Sequence, residues 1–255
     1  MALTNADLTT HLSAVSAGTH SPFTFLKMEL AILSVRIFFQ RLSAISAGVL
    51  ISVSSFSQIA VEGFVGDQKT TADILFFKYF KNKEGNNSKF LFFNRNRASM
   101  DYRQTSNAYL PQFGFTEAVS YNHPALKGFA PVAVVQIFNT GTFPKIGVQY
   151  FHQKKHFMFF TWAVIETMQK PLVDYFVLTR FQPQVSEKVQ LFLQLELVNT
   201  LPTATDNNYN FIQRMRLGLR LGESWQTGVG ADFTQNGRTE FVTTSNIGVF
   251  LRKEF

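Results

Sequence analysis

Residues 209–222 read YNFIQRMRLGLRLG. Tyr209, Phe211, Met215, Leu217, Leu219 and Leu221 share one parity, while Arg214, Arg216, Gly218, Arg220 and Gly222 share the other. A period of two is that of a β-strand, whose successive side chains point to opposite faces. One face is therefore aliphatic and aromatic, and the other is cationic and small. The run also exceeds the ~5–6 residues usual in soluble strands and suits the ~9–11 that cross a bilayer obliquely.

The same alternation recurs on both sides of this segment. Val189, Leu191, Leu193, Leu195 and Leu197 oppose Lys188, Gln190, Gln194 and Glu196. Val229, Ala231 and Phe233 oppose Gly228, Gly230 and Asp232, and Val173, Tyr175, Val177 and Phe181 oppose Asp174, Arg180 and Gln182. Nearer the start, Phe90, Phe92, Met100 and Tyr102 oppose Arg95, Arg97, Asp101 and Arg103. Asn94 and Asn96 interrupt that apolar face, which predicts a bulge or a membrane-edge position there. Strands are expected over 58–66, 71–81, 88–103, 109–122, 128–140, 144–153, 156–168, 171–182, 187–199, 207–222, 225–235 and 239–255. Turn chemistry separates most of them. At Asn236-Gly237 it takes the form of a type I′ hairpin signal.

Composition agrees. The chain has 255 residues, 29 of them Phe, and only 16% are charged. Yet mean hydropathy is +0.01, so the apolar residues are interleaved rather than blocked. No stretch after residue 58 reaches the ~18 apolar residues of a spanning helix. The net charge is +7, but Lys and Arg are scattered singly, with no run that would form a phosphate-binding patch for nucleic acid. There is no Cys, which removes disulfide frameworks and thiolate metal sites. Cofactors and metals are not expected.

The front of the chain reads differently. Over residues 28–57, Arg36 and Arg41 precede an apolar, small-residue-rich stretch from Leu42 to Phe56, which ends in Ser-Phe-Ser before Gln58. This is the anatomy of a secretory signal peptide. Residues 1–27 are Ser/Thr-rich and sit awkwardly before such a signal, which predicts translation from Met28. The expected fold is then a single all-β domain over 58–255: an antiparallel, up-and-down transmembrane barrel of about 12 strands. Closing a barrel satisfies every backbone N–H and C=O within lipid. Tyr79, Tyr102, Tyr109, Tyr121, Tyr150, Trp162, Tyr175, Tyr209 and Trp225 are expected to form its aromatic girdles.

With its leader, alternating strands and final Phe255, the chain resembles outer-membrane β-barrel proteins of the Gram-negative envelope, and SVSSFSQ is similar to Bacteroidota-type leaders. The resemblance implies export to the outer membrane and residence in its lipid bilayer. It also implies that the row Ile247, Val249, Leu251 and Phe255 is read by the barrel-assembly machinery, although Lys253 interrupts it. The strand carrying that row should close the barrel against the strand after Gln58.

On this register Arg95, Arg97, Arg103, Arg180, Arg214, Arg216, Arg220 and Arg252 point inward, with Glu62, Asp101, Asp174, Glu196, Asp232, Glu240 and Glu254. Two readings stand side by side. Such a lumen can be an arginine track that selects small polar or anionic solutes, which makes the protein a small passive channel. It can equally be a salt-bridge network filling a non-conducting structural or partner-binding barrel. A soluble secreted barrel would bury its apolar rows instead, but long outward Phe/Leu rows argue against it. Lipid hydrolase or acyltransferase chemistry would need His beside Ser. Ser120 and His123 lack the adjacent His-Ser signature, and His152 and His156 flank a hairpin tip, so no catalytic residue is assigned.

Overall fold

The computed structural model describes residues 59–102, 112–168, 172–203 and 208–255. The leader and extension expected over 1–57, together with Arg103 and Tyr109, lie outside them. The elements are β1 (Ala60–Gly66), β2 (Lys69–Lys81), β3 (Asn87–Asp101), β4 (Gln112–Tyr121), β5 (Phe129–Phe138), β6 (Gly141–Lys154), β7 (Phe157–Glu166), β8 (Leu172–Phe181), β9 (Gln184–Ser186), β10 (Val189–Pro202), β11 (Tyr209–Leu221), β12 (Trp225–Gly237) and β13 (Phe241–Glu254). Each strand pairs antiparallel with its sequence neighbours, except that β8 pairs with β10 and not with β9. β13 returns to β1 over Ala60↔Glu254 to Gly66↔Gly248, which closes the sheet. Ile59 and Phe255 extend this seam by exchanging backbone hydrogen bonds of 3.3 and 3.0 Å.

Twelve staves make the wall, because the three-residue β9 continues β8 beyond Gln182-Pro183 rather than adding a stave. Pro183 has no N–H to donate, so the ladder breaks there. Its carbonyl still accepts from Leu191 N at 2.9 Å. The twelve segments expected from the sequence correspond one to one with these staves, with end positions shifted by a few residues.

Contacts between strands that are not neighbours in the wall establish which parity faces inward. Phe93 on β3 packs against Phe176 on β8 with ring centroids 6.1 Å apart, and Arg216 on β11 reaches Glu62 on β1. Only side chains projecting into the lumen can meet in this way. The opposite parity holds exposed apolar residues: Val61, Val65, Phe90, Ile146, Val148, Leu217, Val229, Ile247, Val249 and Leu251. Apolar outside with ion pairs inside inverts the soluble arrangement and is the pattern of a membrane-spanning barrel.

The interior has two territories. Leu75, Phe93, Ala118, Val132, Val134, Met158, Phe160, Trp162, Val164, Phe176 and Leu178 form one apolar cluster on β2–β8. Phe64, Phe192 and Phe250 form a second on β1, β10 and β13.

Four expectations are corrected. Trp162 and Tyr79 lie on inward rows instead of in a girdle; Trp162 is buried in the aromatic cluster, 5.2 Å from Phe93. Asn236-Gly237 does not form the turn. Both residues remain in the ladder, paired with Val242 and Phe241, and residues 238–240 make the turn. Gly237 serves close approach instead, since a Cβ there would lie 1.9 Å from the Glu240 carbonyl oxygen. Glu240 is exposed in that turn and does not face the lumen. Finally, β3 carries no bulge at Asn94 or Asn96. Both pair in continuous register, with Phe76 and Ile74, near the middle of the strand.

Candidate functional site

The lumen gathers the charged residues. Seven of the eight predicted inward arginines are described, and each contacts a carboxylate. At one end of the chain of contacts, Arg97 meets Asp73 at 2.6 Å, and Arg95 meets the same carboxylate at 2.7 Å. Arg95 then spans to Glu196 at 2.5 Å, and Glu196 also accepts from Arg214. Arg214 lies 4.0 Å from Asp232, which pairs with Arg216 at 2.7 Å.

Arg216 is the central junction. Its Nε donates to Glu62 at 2.9 Å, and its guanidinium carbon sits 4.1 Å above the Phe64 ring centroid. Glu62 also accepts from Arg252, at 2.9 Å from Nε and 2.5 Å from Nη2. Arg252 donates to Gln194 at 2.8 Å, and Gln194 accepts from Arg180 at 3.2 Å. Arg180 pairs with Glu254 at 3.1 Å, and Glu254 with Arg220 at 3.3 Å. The result is one connected relay running from Arg97 on β3 to Arg220 on β11.

Strand geometry produces this relay. Residues 214, 216 and 220 share a parity, so their side chains rise from one strand into the lumen at successive depths. Cross-strand pairing sets Arg214 opposite both Glu196 and Asp232, and Arg216 opposite Gln194. Arg252 lies opposite Glu62 in the closing seam. Burial then makes pairing obligatory, because an isolated charge at this depth is far too costly. Among the described residues the relay contains seven arginines and five carboxylates (Asp73, Glu196, Asp232, Glu62, Glu254), a surplus of two positive charges.

Asp174, on the same inward parity, is placed elsewhere. It pairs with Lys145 inside the apolar territory, away from the arginines. Asp73 and Lys145 were not singled out from the sequence. In β2 the flanking Ile74, Leu75, Phe76 and Phe77 are apolar on both parities, so no alternation marks Asp73 as inward.

At mid-depth the lumen is filled. Phe64, Phe192 and Phe250 are each no more than 2% exposed, and Arg216 is 3% exposed. Cavities open at the rims: one of about 420 Å³ beside Glu187, Lys188, Arg220 and Glu223, and one of about 310 Å³ beside Lys69, Asp101, Asp232 and Asn246.

The described histidines have local structural contacts. His123 caps the short 3₁₀ turn Pro124–Leu126, its Nδ1 accepting from Ala125 N at 3.3 Å. His152 stacks on Tyr150, and His156 Nδ1 lies 2.9 Å from the Gln182 carbonyl oxygen. Ser120 Oγ accepts from Asn122 at 2.8 Å. Among the described residues no cluster of three or more His, Asp or Glu is arranged to hold a metal ion.

On the outer wall, Ile247, Val249 and Leu251 form an exposed row on β13, and Phe255 follows it. Lys253 lies on the same row with its ammonium 5.1 Å from the Trp225 ring centroid and 4.6 Å from that of Phe255. The break in apolar character is thus covered by two aromatic faces.

These features define an integral β-barrel of the outer-membrane type. No protein-family model matches the chain, and no curated protein matches it. Among solved structures it is similar to the KdgM porin, with a TM-score of 0.46 at 10% identity over 78% of this chain and 99% of that one. It is also similar to the NanC porin, with a TM-score of 0.45 at 8% identity over 78% and 99%. A third likeness is to the translocator domain of the autotransporter NalP from Neisseria meningitidis, with a TM-score of 0.35 at 12% identity over 90% and 98%.

Proposed function

We propose that the protein is an outer-membrane barrel closed at rest, serving as a structural or partner-binding element of the envelope. The observation that carries this reading is the filled mid-lumen, where Arg216, Glu62 and the three phenylalanines are withdrawn from solvent. A selectivity track needs guanidinium groups exposed to the passing solute. Here every described lumen arginine is engaged by a carboxylate instead. On this reading residues 28–57 direct export, and the outward row ending at Phe255 is what the assembly machinery recognises.

A second reading, a small channel for anions, is favoured by the relay's surplus of two arginines over carboxylates. Planar-bilayer recording of the purified barrel separates the two. The closed reading expects no unitary steps from the wild type, and steps once Phe64→Ala and Phe192→Ala are combined. Anion-selective steps from the wild type that weaken in Arg214→Gln or Arg220→Gln would establish the channel instead.

A further inference from the structure

The outer wall carries a polar group that the lumen does not explain. Phe93 and Ala118 are buried, paired across β3–β4 and inward, so their neighbours Asn94 and Glu117 point outward. Asn94 Nδ2 donates to Glu117 Oε1 at 2.5 Å. Asn94 is only 6% exposed, and the amide oxygens of Asn94 and Asn96, covered by their neighbours on the wall, have no hydrogen-bond partner among the described residues. This patch lies midway along β3, with Phe90 towards one rim and Met100 towards the other, so it sits within the lipid band. Other mid-wall polar groups are satisfied by the sheet itself: Thr161 and Thr227 donate to backbone carbonyls at 2.7 and 3.0 Å. Polar side chains held at membrane depth are costly against lipid, and characteristically mark contact with another protein.

A second feature adjoins the patch. Gly63, Ala72 and Ala98 are consecutive cross-strand partners on the same outward face of β1, β2 and β3. A Cβ on Gly63 would meet nothing within 4 Å. Three small residues in a row leave a shallow depression, where a second wall can approach closely.

We propose that this face of β1–β4 is the contact between two copies of the chain, related by a two-fold axis along the bilayer normal. Such an axis brings each depth of the wall against the same depth of the partner. The patch is self-complementary under that operation, since Asn96 carries amide donors and Glu117, which lies opposite Asn94 two register positions away, a carboxyl acceptor. A second copy supplies a polar group at the matching depth by construction, which an unrelated partner or lipid does not. The proposal is independent of whether the lumen conducts.

The absence of cysteine provides a clean test. Single variants Ala72→Cys, Ala98→Cys and, on the far wall, Val229→Cys are inserted into phosphatidylcholine vesicles and oxidised. A covalent dimer is expected from Ala98→Cys or Ala72→Cys and not from Val229→Cys. Its yield should fall several-fold when Asn94→Leu and Glu117→Leu are added. Heat-modifiable gel mobility verifies folding, and Glu117→Gln provides a milder variant should the leucines impair it. Failure to cross-link at both alanines, equal yield at Val229, or yield unchanged by the polar substitutions would each overturn the proposal.

Discussion

Arg216 on β11 donates to Glu62 on β1 at 2.9 Å, across two intervening strands of the wall. Glu62 holds Arg252 with its other oxygen, so a single carboxylate ties β11, β13 and β1 together where the barrel closes. Glu62→Gln would leave two buried guanidinium groups facing a neutral amide. Breaking a buried pair from one side costs about 3–5 kcal/mol. The expected outcome is a loss of that order in urea unfolding from lipid vesicles, read by gel mobility. A change near zero would mean that water reaches and screens this site.

Lys145 and Asp174 allow the complementary experiment, because they lie among apolar neighbours with one further buried carboxylate, Glu166, directly opposite Lys145. Removing the cation, as in Lys145→Met, should destabilise strongly by leaving two buried carboxylates without it. Replacing the whole group, with Lys145→Met, Asp174→Leu and Glu166→Leu, should be neutral or stabilising by up to about 4 kcal/mol, as for other buried ionic groups exchanged for apolar ones. Unfolding of the single and triple variants under the same conditions measures the difference.

How far the sequence reveals this architecture depends on what each strand buries. In β10–β13 the lumen face is mostly polar, Phe192 and Phe250 apart, and the lipid face apolar, so parity alone locates Glu196, Arg214, Arg216, Asp232 and Arg252. In β7, FMFFTWAVIE, both faces are apolar, because Met158, Phe160, Trp162 and Val164 fill the interior while Phe157, Phe159 and Ile165 meet lipid. Parity carries no signal there, and Trp162 reads as a girdle residue. Closure was legible from the alternation in the last strand. The pairing of Arg95 with Glu196 was not, because it depends on which strands face each other across the lumen. Asn94 broke the alternation in the opposite sense: a polar residue on the lipid face looks like a strand defect until the register shows an intact ladder.

Phe160 is the centre of the apolar territory. Its ring packs 4.9 Å from Phe77, 5.3 Å from Phe93, 5.4 Å from Trp162 and 5.9 Å from Phe176. Phe160→Ala removes these contacts, together with one to Phe151 at 6.2 Å, and leaves a void that the surrounding wall can only partly close. The expected cost is about 3–5 kcal/mol. Trp162 should report it through a red-shifted emission as water enters, while Trp225, which faces outward, stays unchanged. The Trp225→Phe background isolates that signal.

Asp67, in the turn after β1, gives the rim a pH dependence. Its carboxylate accepts from the Ile247 backbone N–H at 2.8 Å and from the Gln68 side chain at 3.1 Å, and these bonds hold its pKa below the ordinary value. A carboxyl group whose folded pKa lies below its unfolded one stabilises the fold at every pH above the unfolded value. That contribution disappears as pH falls through the folded value. Wild type should therefore exceed Asp67→Asn in urea midpoint by a constant margin at neutral pH, and the margin should shrink below about pH 4. Because the Ile247 N–H is held by the Asp67 carboxylate, hydrogen exchange at Ile247 should accelerate in Asp67→Asn. A margin that instead grows on acidification would mean that the carboxylate is not bonded to the closing strand.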